Sequence, residues 1–238
     1  MSFPLIVAHR GYSAIAPENT LASLRKALEA GAHACEIDVH LTGDGEVVVM
    51  HDGTVDRTTN GTGALREMTL DQVRRLDAGA WKGPEYAGEP VPTLAEVLAL
   101  LDGRAHLVCE VKDADIEEAV ARTIVDAGAI ERVTFIAFDH QMCARLRDVL
   151  PSVGVLWLIG DGDHDPGAVA EACLESNLQG VDAFYGAISE ELADTLLRRG
   201  LSLWAWTVNQ GDEALRLASL GVTSITTDDP VLIASALG

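Results

Sequence analysis

The residues best suited to chemistry in this sequence are His9, Arg10, Glu36, Asp38, His51, Glu110 and Lys112. Glu36 and Asp38 stand two apart, as do Glu110 and Lys112, and residues two apart in an extended strand point to the same face. Their neighbours are apolar: Cys35, Ile37, Val39 and Leu41 in one run, Leu107, Cys109 and Val111 in the other. Each run therefore reads as a strand with one face against a hydrophobic layer and the other carrying charge. Three carboxylates forced together in a partly dry cavity repel one another unless a hard cation neutralises them. Oxygen-only ligation by Glu36, Asp38 and Glu110 suits Mg²⁺ or Ca²⁺, with water and substrate oxygen completing the shell. Zinc suits this oxygen set less, although His9 and His51 would attract it.

Positioning these groups falls to a rhythm of short β-branched runs alternating with helical patterns, the signature of a parallel sheet with crossover helices. Strands are expected at Leu5 to Ala8, Ala34 to Leu41, His106 to Val111 and Val133 to Ala137, then Val153 to Ile159, Gly180 to Ala183, Ser202 to Thr207 and Ser224 to Thr227. Helices are expected at Leu21 to Ala30, Ile116 to Ala127, Gln141 to Leu150, Ala168 to Ser176, Glu190 to Arg199 and Asp212 to Leu220, where apolar residues recur at three and four. Gly31, Gly128, Gly200 and Gly221 punctuate helix ends as left-handed caps. Eight such units favour a closed TIM (β/α)8 barrel over an open doubly wound sheet, and 238 residues sit near the roughly 250 usual for that fold.

In such a barrel the working groups gather at the C-terminal ends of the strands. His9 and Arg10 end the first strand, Glu36 and Asp38 ride the second, His51 and Asp52 follow the hairpin-like Val47 to Met50, and Glu110 and Lys112 close the next. The competing reading is a buried ion-pair network in which Arg10 and Lys112 balance the acids. Two histidines converging on the same barrel end weigh toward a site. His33, His40, His106, His140 and His164 read as surface or packing residues, and Cys35 and Cys109 as packing, since adjacent strand residues face opposite sides.

The segment from Gly53 to about Pro92 breaks the rhythm with repeated Gly and Pro, and is expected to be an insertion after the second strand. Its apolar residues Leu65, Met68, Leu70, Val73, Leu76 and Trp81 predict a folded cap. The expected organisation is one domain, 1–238, with that cap inserted at about 53–92.

A net charge of −20, from 17 basic and 37 acidic residues, repels nucleic acid and anionic membrane surfaces at long range. No nucleic acid partner is expected, and a homo-oligomer stays open. The apolar run Val153 to Ile159 falls well short of the roughly 20 residues of a membrane span. Met1 to Ala8 carries no basic leader, and four cysteines show no C-x-x-C spacing, so a cytoplasmic location is the expectation.

Motifs run in order along nearly the whole chain: Ala8-His9-Arg10-Gly11, Ala16-Pro17-Glu18-Asn19-Thr20, Glu36 through Gly45, His51-Asp52, Arg57 through Gly63, and Leu76-Asp77-Ala78-Gly79. Val91-Pro92-Thr93-Leu94, Glu110-Val111-Lys112, Phe138-Asp139 and Trp206-Thr207-Val208-Asn209 follow. In these blocks the chain resembles the glycerophosphodiester phosphodiesterases, of the bacterial cytoplasmic type. The resemblance implies a TIM barrel with a small cap, one divalent cation, and hydrolysis of glycerophosphodiesters to an alcohol and sn-glycerol 3-phosphate. It maps metal ligation onto Glu36, Asp38 and Glu110, and acid/base catalysis onto His9 and His51.

On that expectation Arg10 offers phosphate a planar fork and Lys112 a point charge, a local positive pocket on an acidic protein. His9 and His51 divide the roles of acid and base, either way round, with water or the substrate's own glycerol hydroxyl as nucleophile. Trp206 shares strand parity with Trp204 and would hold the glycerol carbons, and Asn19 would order the first loop and cap the first helix. Two departures from the family pattern, Ala137 before Phe138-Asp139 and Thr226-Thr227-Asp228-Asp229-Pro230 for an Asn-containing ending, bear on the outer substrate contacts and on no proposed ligand. Lysophospholipase D-type activity on lysophospholipids and a noncatalytic barrel binding a phosphorylated ligand are the alternatives; an exposed apolar track beside the cap would favour the former.

Overall fold

The computed structural model of the chain describes residues 3–238, so the leader reading of Met1 and Ser2 lies outside it. The strands among the described residues are β1 (Leu5–Ala8), β2 (Ala34–Leu41), β3 (Val47–Val49), β4 (His106–Val111), β5 (Val133–Ala137), β6 (Gly154–Ile159), β7 (Gly180–Phe184), β8 (Ser202–Trp206) and β9 (Ser224–Thr227). All but β3 run parallel, in the order β1-β9-β8-β7-β6-β5-β4-β2, and the β1–β2 pairing closes the ring. This is the expected TIM barrel. The hairpin-like run near Val47 is the extra strand, antiparallel to the end of β2 through Val39↔Val49 and Leu41↔Val47.

Strand parity divides the hydrophobic residues into two layers. One side of the strands, with Cys35, Ile37, Val39, Leu107, Cys109, Val111 and Phe135, packs into the main core with helix residues such as Leu24 and Leu146. The other faces the barrel interior, where Val7, Ala34, Val108, Ile136, Leu156 and Leu158 form a separate cluster with Trp204 and Trp206 against it. Burying each large aliphatic side chain contributes roughly 1.5–3 kcal/mol. All four cysteines are free and buried.

The helices are α1 (Leu21–Glu29), α2 (Leu70–Val73), α3 (Leu94–Leu101), α4 (Glu117–Asp126), α5 (His140–Val149), α6 (Pro166–Glu175), α7 (Glu190–Arg198), α8 (Gly211–Ser219) and α9 (Pro230–Leu237). Sequence periodicity missed α3 and α9, because LAEVLALL and PVLIASAL are apolar on nearly every side and show little contrast between faces. Side-chain caps mark their starts nonetheless: Thr93 forms a capping box with Glu96, and Asp229 accepts from Leu232 N–H. No helix among the described residues is long and apolar enough to cross a membrane.

The interrupted segment lies between β3 and α3 and carries its own small core, in which Val55, Leu65, Val73 and Ala78 meet Val48 and Met50, with Met68, Leu70 and Leu76 packed alongside. Trp81 does not join them. It is exposed, its indole donates to the Ala78 carbonyl, and Lys82 lies 5.8 Å from its ring, so it is a surface residue and not the anchor its type suggested.

Candidate active site

The carboxylates come first because burial makes them costly. Glu36 and Asp38 on β2 and Glu110 on β4 are buried at the C-terminal end of the barrel, and each offers an oxygen within 4.8 Å of the others. The register pairs Asp38 with Glu110 directly. Burial, then Asp38 and Glu110, push the Glu36 carboxyl well above its ordinary range. Burial, then Asp38, push Glu110 up to about 7, against the pull of Lys112. Burial pushes Asp38 up too, but Arg10, Lys112, His51 and the Asn19 amide together hold it below the usual value.

Lys112 Nζ lies 2.7 Å from Glu110 Oε1 and 3.4 Å from Asp38 Oδ1. Arg10 Nε lies 3.3 Å from Asp38 Oδ2, and the Arg10 backbone N–H donates to Glu36 Oε2 at 2.9 Å. Asp38 Oδ1 is buried with no hydrogen-bond partner among the described residues. Three clustered acids, two of them pushed toward neutrality, and a buried oxygen that Lys112 approaches without a hydrogen bond match what a divalent cation would ligate, so the donor set fits one.

The turn after β1 delivers Arg10 in a left-handed backbone, at φ 54°, followed by Gly11 at φ 80°. A Cβ on Gly11 would fall 2.6 Å from the Ser23 backbone in α1, so this turn and the first helix meet with no space for a side chain. Asn19, also left-handed, donates to Asp38 Oδ2 at 2.7 Å and accepts from the Asp38 backbone. It orders the carboxylate more than the helix. The cap of α1 is Thr20, which forms a capping box with Ser23.

Each histidine is anchored through the same nitrogen. His9 Nδ1 lies 2.7 Å from Asp228 Oδ1, and His51 Nδ1 lies 2.6 Å from Asp52 Oδ1. A neutral ring so held carries its proton on Nδ1 and leaves Nε2 as the acceptor. Burial chiefly, with Arg10 and Lys112, lowers the His51 pKa against the opposing pull of Asp38 and Asp52. Asp228 also takes hydrogen bonds from Ser13 and Asn209 and, despite burial, is held down at about 2. The departure from the family ending thus does reach the site: Asp228 contacts His9.

A chain of charges joins the two histidine halves. Arg57, from the segment after β3, donates to both oxygens of Asp52 and both of Glu18, and Glu18 accepts from Arg10. Glu18, Asp52 and Arg57 stand within the family-like motifs, but nothing in their sequence neighbourhood signals these roles. His40, expected as a surface or packing residue, is buried, with Nδ1 3.0 Å from Asp113 and Nε2 on the His51 carbonyl.

These groups open into a cavity of about 270 Å³ whose walls include His9, Arg10, His51, Lys112 and Trp206. Trp206 faces inward, its indole donating to the Asp182 carbonyl at 3.1 Å and its ring meeting Phe138 and Phe184 edge-on at 5.5 and 5.8 Å. The structure therefore brings His9, Arg10, Glu36, Asp38, His51, Glu110, Lys112 and Trp206 together at one end of the barrel.

A parallel barrel with an acidic and basic cluster at its C-terminal rim is the architecture of a TIM-barrel enzyme. Residues 9–232 match the glycerophosphoryl diester phosphodiesterase family, and the chain belongs to that family. It is 38% identical over 232 residues to a glycerophosphodiester phosphodiesterase of Caldanaerobacter subterraneus subsp. tengcongensis, covering 95% of this chain and 94% of that one. Among solved structures it is similar to an Oleispira antarctica phosphodiesterase in complex with the product sn-glycerol-3-phosphate, at TM-score 0.89 and 30% identity, covering 98% and 96% of the two chains. It is also similar to a glycerophosphodiester phosphodiesterase of Agrobacterium tumefaciens, at TM-score 0.85 and 29% identity, covering 98% and 100%. The chain is accordingly an enzyme of the glycerophosphodiester phosphodiesterase class.

Proposed function

We propose that the protein hydrolyses glycerophosphodiesters to an alcohol and sn-glycerol 3-phosphate, with metal-dependent, two-histidine chemistry. The observation that carries this reading is the pair of carboxylate-anchored histidines, His9 and His51, sharing one cavity with three acids and two cations. Glu36, Asp38 and Glu110 would hold Mg²⁺ or Ca²⁺, which when bound supplies charge neutralisation at a phosphate oxygen. Arg10 and Lys112 orient the phosphate and share that neutralisation.

One of His9 and His51, starting neutral, takes a proton from the attacking hydroxyl at its free Nε2, and the other, starting as imidazolium, delivers its Nε2 proton to the departing alkoxide oxygen. Asp228 and Asp52 stabilise the imidazolium that the base becomes and from which the acid starts. Trp206 and Phe138 shield the glycerol carbons from water. Support from relatives is the sn-glycerol-3-phosphate bound by the Oleispira antarctica enzyme.

The test follows release of sn-glycerol 3-phosphate from glycerophosphocholine by His9→Ala and His51→Ala. Losses of about 10²- to 10⁴-fold are expected, and losses below about tenfold overturn the assignment. EDTA should abolish turnover, with recovery on adding Mg²⁺ or Ca²⁺; turnover that persists removes the metal from the reading. Four buried thiols without a disulfide support a reducing, cytoplasmic location, which fractionation of the producing cells checks.

A lysophospholipid substrate draws support from the exposed side chains of Ile15 and Trp81, carried on two segments that are joined where Tyr86 Oη donates to the Ile15 carbonyl and Lys82 Nζ to the Ser13 carbonyl. Release of lysophosphatidic acid from lysophosphatidylcholine at a rate above that from glycerophosphocholine would favour it.

A further inference from the structure

The reaction just described uses no group on β7, yet Asp182 stands there, wholly buried, among the residues lining the active cavity. Neither of its carboxyl oxygens has a hydrogen-bond partner among the described residues. Its register neighbours are Leu158 on β6 and Trp204 on β8, and Leu158, Ile136 and Trp206 form the adjoining cavity wall. A buried carboxyl among such groups is costly unless something satisfies it, and the open space that Asp182 borders is the cavity.

The order of strands fixes what can reach it. Going round the ring from β2, four steps in either direction arrive at β7, so Asp182 lies diametrically across the barrel from Glu36 and Asp38. A substrate whose phosphate is held by Arg10, Lys112 and the β2–β4 acids projects one substituent across the cavity toward Asp182. Its carbons pass Trp206 and Leu158. A carboxyl at the end of that path, which burial and then Glu110 push well above its ordinary range, accepts hydrogen bonds from hydroxyls through its carbonyl oxygen.

We propose that Asp182 is the specificity determinant for the glycerol end of the substrate, a polyol subsite in which its carboxyl accepts hydrogen bonds from the free glycerol hydroxyls. This rests on the phosphodiesterase reading for the orientation of the phosphate. The leaving alcohol, which varies among glycerophosphodiesters, faces the mouth, while the constant glycerol occupies the enclosed side.

The test compares binding of sn-glycerol 3-phosphate with that of propyl phosphate, which keeps the phosphate and three carbons and lacks both hydroxyls, by calorimetry of the Mg²⁺-loaded protein. Wild type should favour sn-glycerol 3-phosphate by about tenfold or more, the value of hydrogen bonds to a charged or buried acceptor. In Asp182→Ala that preference should fall to within about threefold, and Asp182→Asn, isosteric and able to accept through its carbonyl, should retain an intermediate preference. Equal affinities in wild type, or an undiminished preference in Asp182→Ala, overturn the proposal. Circular dichroism of both variants guards against misfolding, with Asp182→Asn deciding the matter if Asp182→Ala does not fold. Because the readout is binding, a wild type that discriminates the two ligands but does not cleave glycerophosphocholine would sink the proposed reaction and leave the subsite standing.

Discussion

His9 and Asp228 lie 219 positions apart in the chain, yet their Nδ1 and Oδ1 atoms are 2.7 Å apart. The parallel pairing of β1 with β9 makes this contact, since His9 follows Ala8 and Asp228 follows Thr227, and those two residues are register partners. Asp228 is a positioning residue: it selects the tautomer that leaves His9 Nε2 free.

Replacing Asp228 by Asn keeps the shape but offers the ring no negative charge. Turnover should fall by about 10- to 100-fold with KM for glycerophosphocholine little changed, a split read directly from initial rates. Asp228 also links stability to pH. Its folded pKa of about 2 lies below its ordinary value near 3.8, so its contribution is fully present above the ordinary value and is lost as pH falls through the folded one. The difference in Tm between wild type and Asp228→Asn should stay level above about pH 5 and shrink between about pH 4 and 2. A difference that grows on acidification contradicts this.

Arg57 should report on His51 from a distance. Removing its guanidinium frees the Asp52 carboxylate to interact more strongly with the imidazole, so Arg57→Ala should raise the His51 pKa from its lowered position. One limb of the pH profile of kcat/KM should therefore move toward higher pH, with kcat falling by about tenfold as Glu18, which holds Arg10, loses its second anchor. An unchanged profile would show that Arg57 serves structure alone.

The acid cluster predicts an unusual stability profile in EDTA. Glu110, with a folded pKa of about 7 against an ordinary 4.5, binds more protons folded than unfolded between those values. Its ionisation therefore costs stability as pH rises through that window. Glu110→Gln removes the ionisation, so in EDTA the variant should gain Tm relative to wild type between pH 5 and about 7.5. Added Mg²⁺ should stabilise wild type more at the upper end of that range. A variant that loses ground as pH rises would reverse the sign of the argument.

At Gly11 the left-handed backbone and the close Ser23 backbone act together. Gly11→Ala should destabilise the fold by about 2–3 kcal/mol in urea unfolding. It should also reduce turnover, because the turn presenting Arg10 must shift.

Parity and motif spacing made the strand-borne residues legible. Glu36, Asp38, Glu110 and Lys112 follow from a period of two that a barrel strand imposes, and the ranges of β1, β2, β4, β5 and β9 follow from their flanking punctuation. The partners of the histidines were not legible, for different reasons. Asp52 adjoins His51, but nothing local says that its carboxylate turns back onto the ring. Asp228 meets His9 only because the barrel closes, a relation with no trace in either neighbourhood. Asp182 did carry a signal: an acid flanked by Val181 and Ala183 within an apolar strand, on the parity that points inward. The exposed Trp81 misled because residue type alone does not distinguish an anchor from a surface aromatic with a hydrogen-bonded indole.

Ring closure also sets an order of events during synthesis on the ribosome. A nascent chain that has released β1 through β8 already contains His9, His51, all three acids and both cationic side chains. It still lacks the β9 seam, and with it the carboxylate that orients one of the two imidazoles. His9 therefore gains its carboxylate only when the strand bearing Thr227 pairs with β1. A product terminated before that strand would carry most of the machinery without the seam that closes the ring.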